Sequence, residues 1–128
     1  MTSQQSVRRL PNGASSGTVY VSITGLRLKR PWHVFRFYRH AIPSLRQAND
    51  APGNLRTEVR TINGVHHTLT VWQNEAAMRA FLYSGAHGRA IRAFRQIATG
   101  KTFGFHTENV PGWGEIHEIW NSRGRDYH

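Results

Sequence analysis

From Thr18 to Leu28 apolar and polar positions alternate, with Val19, Val21 and Ile23 pointing one way and Tyr20, Ser22 and Thr24 the other. That period of two, carried by β-branched residues, predicts a half-buried strand. Pro31 then opens a helix at its first turn, where a missing N–H costs nothing. Its predicted apolar stripe is Phe35, Tyr38, Ile42 and Leu45, with His33, Phe37, His40, Ser44 and Gln47 on the opposite side. Pro43 inside this helix is expected to kink or shorten it, and Asn49-Asp50-Ala51-Pro52-Gly53 ends it.

Two further strands, Asn54 to Ile62 and His66 to Trp72, flank Asn63-Gly64, a strong hairpin signal. A strict two-residue loop pairs Glu58 with Leu69 and Arg56 with Val71, which puts charge on an apolar face. A three-residue loop, Asn63-Gly64-Val65, pairs Val59 with Leu69 and Thr57 with Val71 instead. Arg56, Glu58, Arg60, Thr68, Thr70 and Trp72 then share the other face. A one-residue slip flips every side chain, so the segregated register is the one expected.

Gln73 to Ala98 reads as a long helix, capped by Asn74, with Glu75 in its first turn and Met78, Phe81 and Leu82 as its first apolar cluster. Ser84-Gly85 and Gly88 weaken its middle and predict a break near His87. Lys101 to Thr107 forms another strand with Phe103 and Phe105 on one side, and Pro111-Gly112-Trp113-Gly114 turns the chain. Periodicity leaves 115–120 open between helix and strand. The order β-α-β-β-α-β is the ferredoxin-like, α+β arrangement: four antiparallel strands with two helices on one face. The amphipathic opposite face is free to meet water or the same face of a second subunit, closing a barrel.

Length and composition narrow the function. The 128 residues make one domain, expected over 18–122, with a disordered tail at 1–17 and a frayed C-terminus at 123–128. The tail is rich in Ser, Gln, Gly and Asn and has no apolar core of a signal peptide, and no apolar run reaches membrane-spanning length; a soluble, cytoplasmic protein is expected. The absence of cysteine excludes disulfides, thiolate metal sites and thiol catalysis. The net charge of +10 comes from fifteen Arg and two Lys against seven acids. Because the arginines are spread along the chain with no run longer than Arg8-Arg9, the charge reads as a solvated surface before a nucleic-acid one. The RNA-recognition pattern of basic, Gly and aromatic residues is missing from the strand 66–72.

The candidate chemistry centres on His87, in the middle of an apolar helix face. At about 100° per residue, Ala90, Ile91, Phe94 and Ala98 fall within roughly 60° of it. An imidazole aimed at a core is either hydrogen-bonded there, to a backbone carbonyl or Ser84, or it serves as ligand or base. His67 is a second, half-buried candidate base beside a solvent-facing His66. Trp113 is placed as a lid over a pocket walled by Phe81, Leu82, Ile91 and Phe94, or as a packing residue. No Ser-His-acid spacing, phosphate-cradling glycine loop or HExxH motif is present.

Residues 67–92 carry a resemblance: a strand ending Leu69-Thr70-Val71-Trp72, a helix with Met78 and Phe81-Leu82-Tyr83, and His87 followed by Ala90-Ile91-Arg92. This stretch, about a fifth of the chain, resembles the central region of spheroidene monooxygenase and its uncharacterised relatives. They belong to the dimeric α/β-barrel superfamily, with the antibiotic-biosynthesis and haem-degrading monooxygenases. The resemblance implies a homodimer whose sheets close a barrel, with a pocket in each subunit between sheet and helices. It further implies that His87 could hold haem iron, with Arg89 or Arg92 on the propionates. The haem-degrading branch carries its histidine about one turn later, where this chain has Ile91. The expected function is thus a monooxygenase-like oxidoreductase for an apolar or aromatic small molecule. It works through haem on His87, or without cofactor, with His87 or His67 as base. The alternatives are a non-catalytic homodimer that binds a small hydrophobic ligand and an Arg-driven nucleic-acid binder.

Overall fold

The computed structural model describes residues 17–83 and 85–126, and Ala86 by its backbone alone. Strand β1 (Val19–Leu28) leads through a 3-10 turn at Pro31–His33 into α1 (Val34–Asp50). A hairpin, β2 (Asn54–Ile62) and β3 (Val65–Trp72), follows, then α2 (Glu75–Leu82), α3 (Gly85–Ile97), β4 (Ala98–Thr107), α4 (Trp113–Arg123) and a two-residue β5 (Arg125–Asp126). All pairings are antiparallel and the sheet order is β2-β3-β1-β4-β5. This is the expected α+β, ferredoxin-like sheet, extended at its C-terminal end. The expected tail at 1–17 lies outside the described residues apart from Gly17, as do 127 and 128 of the expected frayed terminus. Arg125 and Asp126 of that terminus pair with Thr102 and Lys101.

Alternation along β1 splits the sheet as predicted. Tyr20, Ser22 and Thr24 look toward α1, α2 and α3, while Val19, Val21 and Ile23 form the opposite face, each at most 1 % exposed. Asn74 caps α2, its side chain accepting from the Ala77 N–H at 2.9 Å. The long helix expected over 73–98 is two helices, and the break expected near His87 falls just before Gly85.

Three expectations are corrected. Helix α1 continues through Pro43, and it turns the other face inward: Phe37, Ala41, Ser44 and Ala48 are buried, while Phe35, Tyr38 and Ile42 are exposed. Phe35 and Ile42 share their face with Arg39 and Arg46, so burying the predicted stripe would have carried two guanidiniums out of water. The small Ala41, Ser44 and Ala48 let the helix lie over the sheet instead.

The hairpin takes the rejected register, with Glu58 opposite Leu69 and Arg56 opposite Val71. Asn63 and Gly64 have φ of 51° and 78°, both left-handed, the geometry of a two-residue primed turn. Because β2 is an edge strand, its charges still find partners. Glu58 accepts from Arg56 at 2.7 Å and from the Trp113 indole N–H at 2.9 Å, and the Arg60 guanidinium lies 5.5 Å above the Trp113 ring. Thr68, Thr70 and Trp72 consequently face the helices, and Trp72 is wholly buried against Phe81.

The face expected to meet water or a second subunit is split: Thr68, Thr70 and Trp72 turn to the helices, while Arg56, Glu58 and Arg60 share the side of Leu69 and Val71, which α4 of the same chain covers. Ile116 and Trp120 join Val19, Val21, Ile23, Val65, Leu69 and Val71 in one buried cluster. Trp120 nests where Gly25 leaves room, since a Cβ there would strike its indole ring. Its N–H donates to the Lys101 carbonyl at 2.8 Å, and the Lys101 ammonium sits 4.8 Å from the ring centroid.

Candidate active site between sheet and helices

A cavity of about 500 Å³ lies between the inner face of the sheet and the three helices. Its floor is a row of hydroxyls contributed by alternating strand positions: Tyr20, Ser22 and Thr24 from β1, Thr68 and Thr70 from β3, and Thr102 from β4. The roof is apolar, formed by Phe37 and Leu45 of α1, Met78, Phe81 and Leu82 of α2, and Ile91 and Phe94 of α3. Gly104 gives the Tyr20 ring its place, because a Cβ there would collide with the phenol oxygen. Burial raises the Tyr20 hydroxyl above its ordinary pKa, with the nearby Glu75 adding to the effect. A flat apolar molecule with oxygen atoms along one edge matches this division of roof and floor.

His87 lines the cavity near the start of α3. Its Nδ1 lies 3.0 Å from Ser44 Oγ of α1, and its ring packs 4.6 Å from that of Phe81. Burial lowers its pKa to about 4, so the imidazole is neutral at physiological pH. In the tautomer where Nδ1–H donates to Ser44, Nε2 keeps its lone pair and is the basic nitrogen. Sequence reasoning missed Ser44 by placing it on the solvent side of α1. The signal available was the spacing of Ala41, Ser44 and Ala48, a row of small residues that allows close packing.

Of the expected site residues, the structure brings His87, Phe81, Leu82, Ile91 and Phe94 together around the cavity. It places the others elsewhere. His67 is 2 % exposed on the opposite face of the sheet, with Nε2 2.8 Å from His117 Nδ1 and Nδ1 3.3 Å from the Thr24 carbonyl. Burial, opposed by the Thr24 hydrogen bond, brings it too to about 4. Trp113 lies on that same face, 6.0 Å from the His67 ring, and lids no part of the cavity. His66 is half-buried against Phe37 rather than solvent-facing.

Arg89 and Arg92 are exposed on α3, outside the cavity lining, where the only cation among the described residues is Arg125. Haem would need propionate partners and an apolar bed on both sides of the macrocycle. The hydroxyl floor and the position of the two arginines do not fit it. Among the described residues no three His, Asp or Glu side chains gather as metal ligands.

No family model matches the sequence, and no curated protein matches it. Solved structures do. SnoaB, a cofactor-independent oxygenase from Streptomyces nogalater, superposes with a TM-score of 0.61 at 14% identity, covering 72% of this chain and 95% of its own. A protein from Nitrosomonas europaea assigned to the antibiotic biosynthesis monooxygenases gives 0.61 at 12%, covering 72% and 99%. Another so assigned, from Caulobacter crescentus, gives 0.59 at 15%, covering 73% and 91%. At these identities the likeness speaks for backbone architecture. The chain has the fold of the antibiotic biosynthesis monooxygenases.

Proposed function

We propose that the cavity is the active site of a cofactor-independent oxygenase acting on a flat apolar or aromatic molecule, with His87 as its base. The observation that carries this reading is a neutral, Ser44-anchored imidazole on the wall of a cavity large enough for a small polycyclic ligand. The similarity to SnoaB supports the class. His87 Nε2 takes a proton from an acidic C–H of the substrate, and the carbanion then reduces dioxygen. Overall a methylene carbon loses two hydrogens and gains one oxygen as a carbonyl, and the second oxygen leaves as water. The hydroxyl floor holds the substrate oxygens and the apolar roof excludes water.

The test is oxygen uptake by the purified chain with anthrone, whose methylene is acidified by its rings and carbonyl, in the presence of a metal chelator. The expected result is turnover that falls by about 100-fold or more in His87→Ala. Absence of uptake, or uptake unchanged in that variant, overturns the reading. A second reading, a non-catalytic binder of small hydrophobic ligands, draws on the scarcity of other titratable groups. Among the described lining residues Asp126 is the one carboxylate. Uptake of apolar dyes without any turnover would favour it.

A further inference from the structure

The charge that looks dispersed along the sequence is segregated in the fold. Residues 1–49 hold seven Arg and Lys29 and not one Asp or Glu, and residues 76–107 are also free of acids. The structure packs α1 and α3 side by side, joined by a hydrogen bond from Arg36 to Gln96, so the acid-free parts of these two helices share one surface. Arg36, Arg39 and Arg46 of α1 and Arg89, Arg92 and Arg95 of α3 are all exposed on it. Behind the larger effect of burial, Arg39, Arg36 and Arg89 also hold the His40 imidazole below its ordinary pKa.

Beside these arginines stand the large apolar side chains that α1 and the 3-10 turn before it leave exposed. Trp32 is 66 % exposed, Phe35 80 %, and Tyr38 and Ile42 45 % each. On the helix Phe35, Arg39, Ile42 and Arg46 fall within about 60° of one another, so apolar tips and guanidiniums alternate along one ridge. Apolar residues in this number, contiguous and ringed by a single sign of charge, mark an interaction surface.

We propose that the outer face of α1, with the flanking arginines of α3, docks the protein onto an anionic lipid surface. Trp32, Phe35 and Ile42 enter the headgroup boundary and the arginines meet lipid phosphates. A second copy of this chain is a poor occupant, since a two-fold contact would set the arginine rows against each other. Single-stranded nucleic acid fits less well. Modules that read it use aromatics on an open sheet or groove, whereas this surface is a convex helix with an aliphatic residue among its aromatics, and helices cover the sheet. Docking would also bring the cavity wall formed by the inner side of α1 close to the bilayer; the proposal does not depend on the chemistry inside.

The test is co-sedimentation of the full chain with phosphatidylcholine vesicles, with and without phosphatidylglycerol, at low and at high salt. The expected result is binding to the phosphatidylglycerol vesicles alone, weakened by salt. Each of Arg39→Gln and Arg46→Gln should weaken it about fivefold, and Trp32→Ala with Phe35→Ala by more than about tenfold. All four positions are exposed, so thermal unfolding should confirm that the variants stay folded. Failure to bind the anionic vesicles overturns the proposal. So does binding indifferent to Trp32 and Phe35, which would be unspecific charge adsorption. Tighter binding of a single-stranded oligonucleotide that depends on the same aromatics would assign the surface to nucleic acid instead.

Discussion

Ser44 Oγ and His87 Nδ1 meet at 3.0 Å in the cavity lining, a hydrogen bond that ties α1 to α3 alongside that of Arg36 with Gln96. The bond holds the rotation of the imidazole, and in the tautomer where Nδ1–H is the donor it leaves Nε2 as the basic nitrogen. Ser44 is therefore a positioning residue, and His87 the group expected to touch substrate. Ser44→Ala should lower kcat by about 10-fold with little change in KM, while His87→Ala should remove about 100-fold or more. Steady-state oxygen uptake checks both. Equal effects of the two variants on kcat would mean that Ser44 does more than orient the ring.

The pH dependence of stability follows from buried His67 and partly buried His87. His67 and His87 have pKa values lowered from 6.5 to about 4 in the folded chain. Between those values the unfolded chain binds more protons than the folded one, so stability is complete above about pH 6.5 and falls as pH drops toward 4. Thermal unfolding across this range should show the decline, and His67→Gln and His87→Gln should each flatten it. A flat profile in the parent protein contradicts the burial of both rings.

Filling the cavity should abolish ligand uptake without unfolding the chain. Ala41 lines it from α1. Ala41→Phe places a ring between the roof and the hydroxyl floor, at a cost to stability of about 1–3 kcal/mol. Titration with an apolar fluorescent dye should lose its signal in this variant. Undiminished dye binding would place the binding site elsewhere.

Helix α4 occupies the sheet face through which a barrel-type dimer would form, so the chain should sediment as a single copy in the absence of lipid. Gly25→Ala drives a methyl group into the Trp120 ring and should cost about 1–3 kcal/mol in urea unfolding. Trp120→Ala should cost about 3–5 kcal/mol, and it uncovers apolar sheet surface. Sedimentation velocity should then show self-association in the variant that the parent lacks. A parent protein that already sediments as a dimer contradicts this placement of α4.

Much of the architecture was legible in the sequence where one period dominated. The alternation of Val19 to Thr24 placed β1 and separated its two faces, without saying which of them meets the helices, and Asn74 capped its helix as expected. The face of α1 was not legible, because two apolar stripes compete there and only the arginines beside Phe35 and Ile42 decide between them. The hairpin register was misread for a related reason. Segregating charge from apolar residues is a rule for strands with neighbours on both sides, and β2 has none on its outer edge, so turn geometry at Asn63 and Gly64 prevailed. Of the site, His87 and its apolar neighbours could be found from helical spacing. Ser44, the hydroxyl floor and the displacement of His67 and Trp113 to the far side depended on contacts between distant segments, which a single sequence does not display.

The most direct measurement is nitrogen NMR of the His87 side chain, followed through a pH titration with and without an apolar aromatic ligand. A neutral ring protonated on Nδ1, titrating near 4 and shifting when the ligand enters, is the predicted result. A ring that titrates near its ordinary value of about 6.5, or one that ignores the ligand, would contradict the assignment of His87 as the base of this cavity.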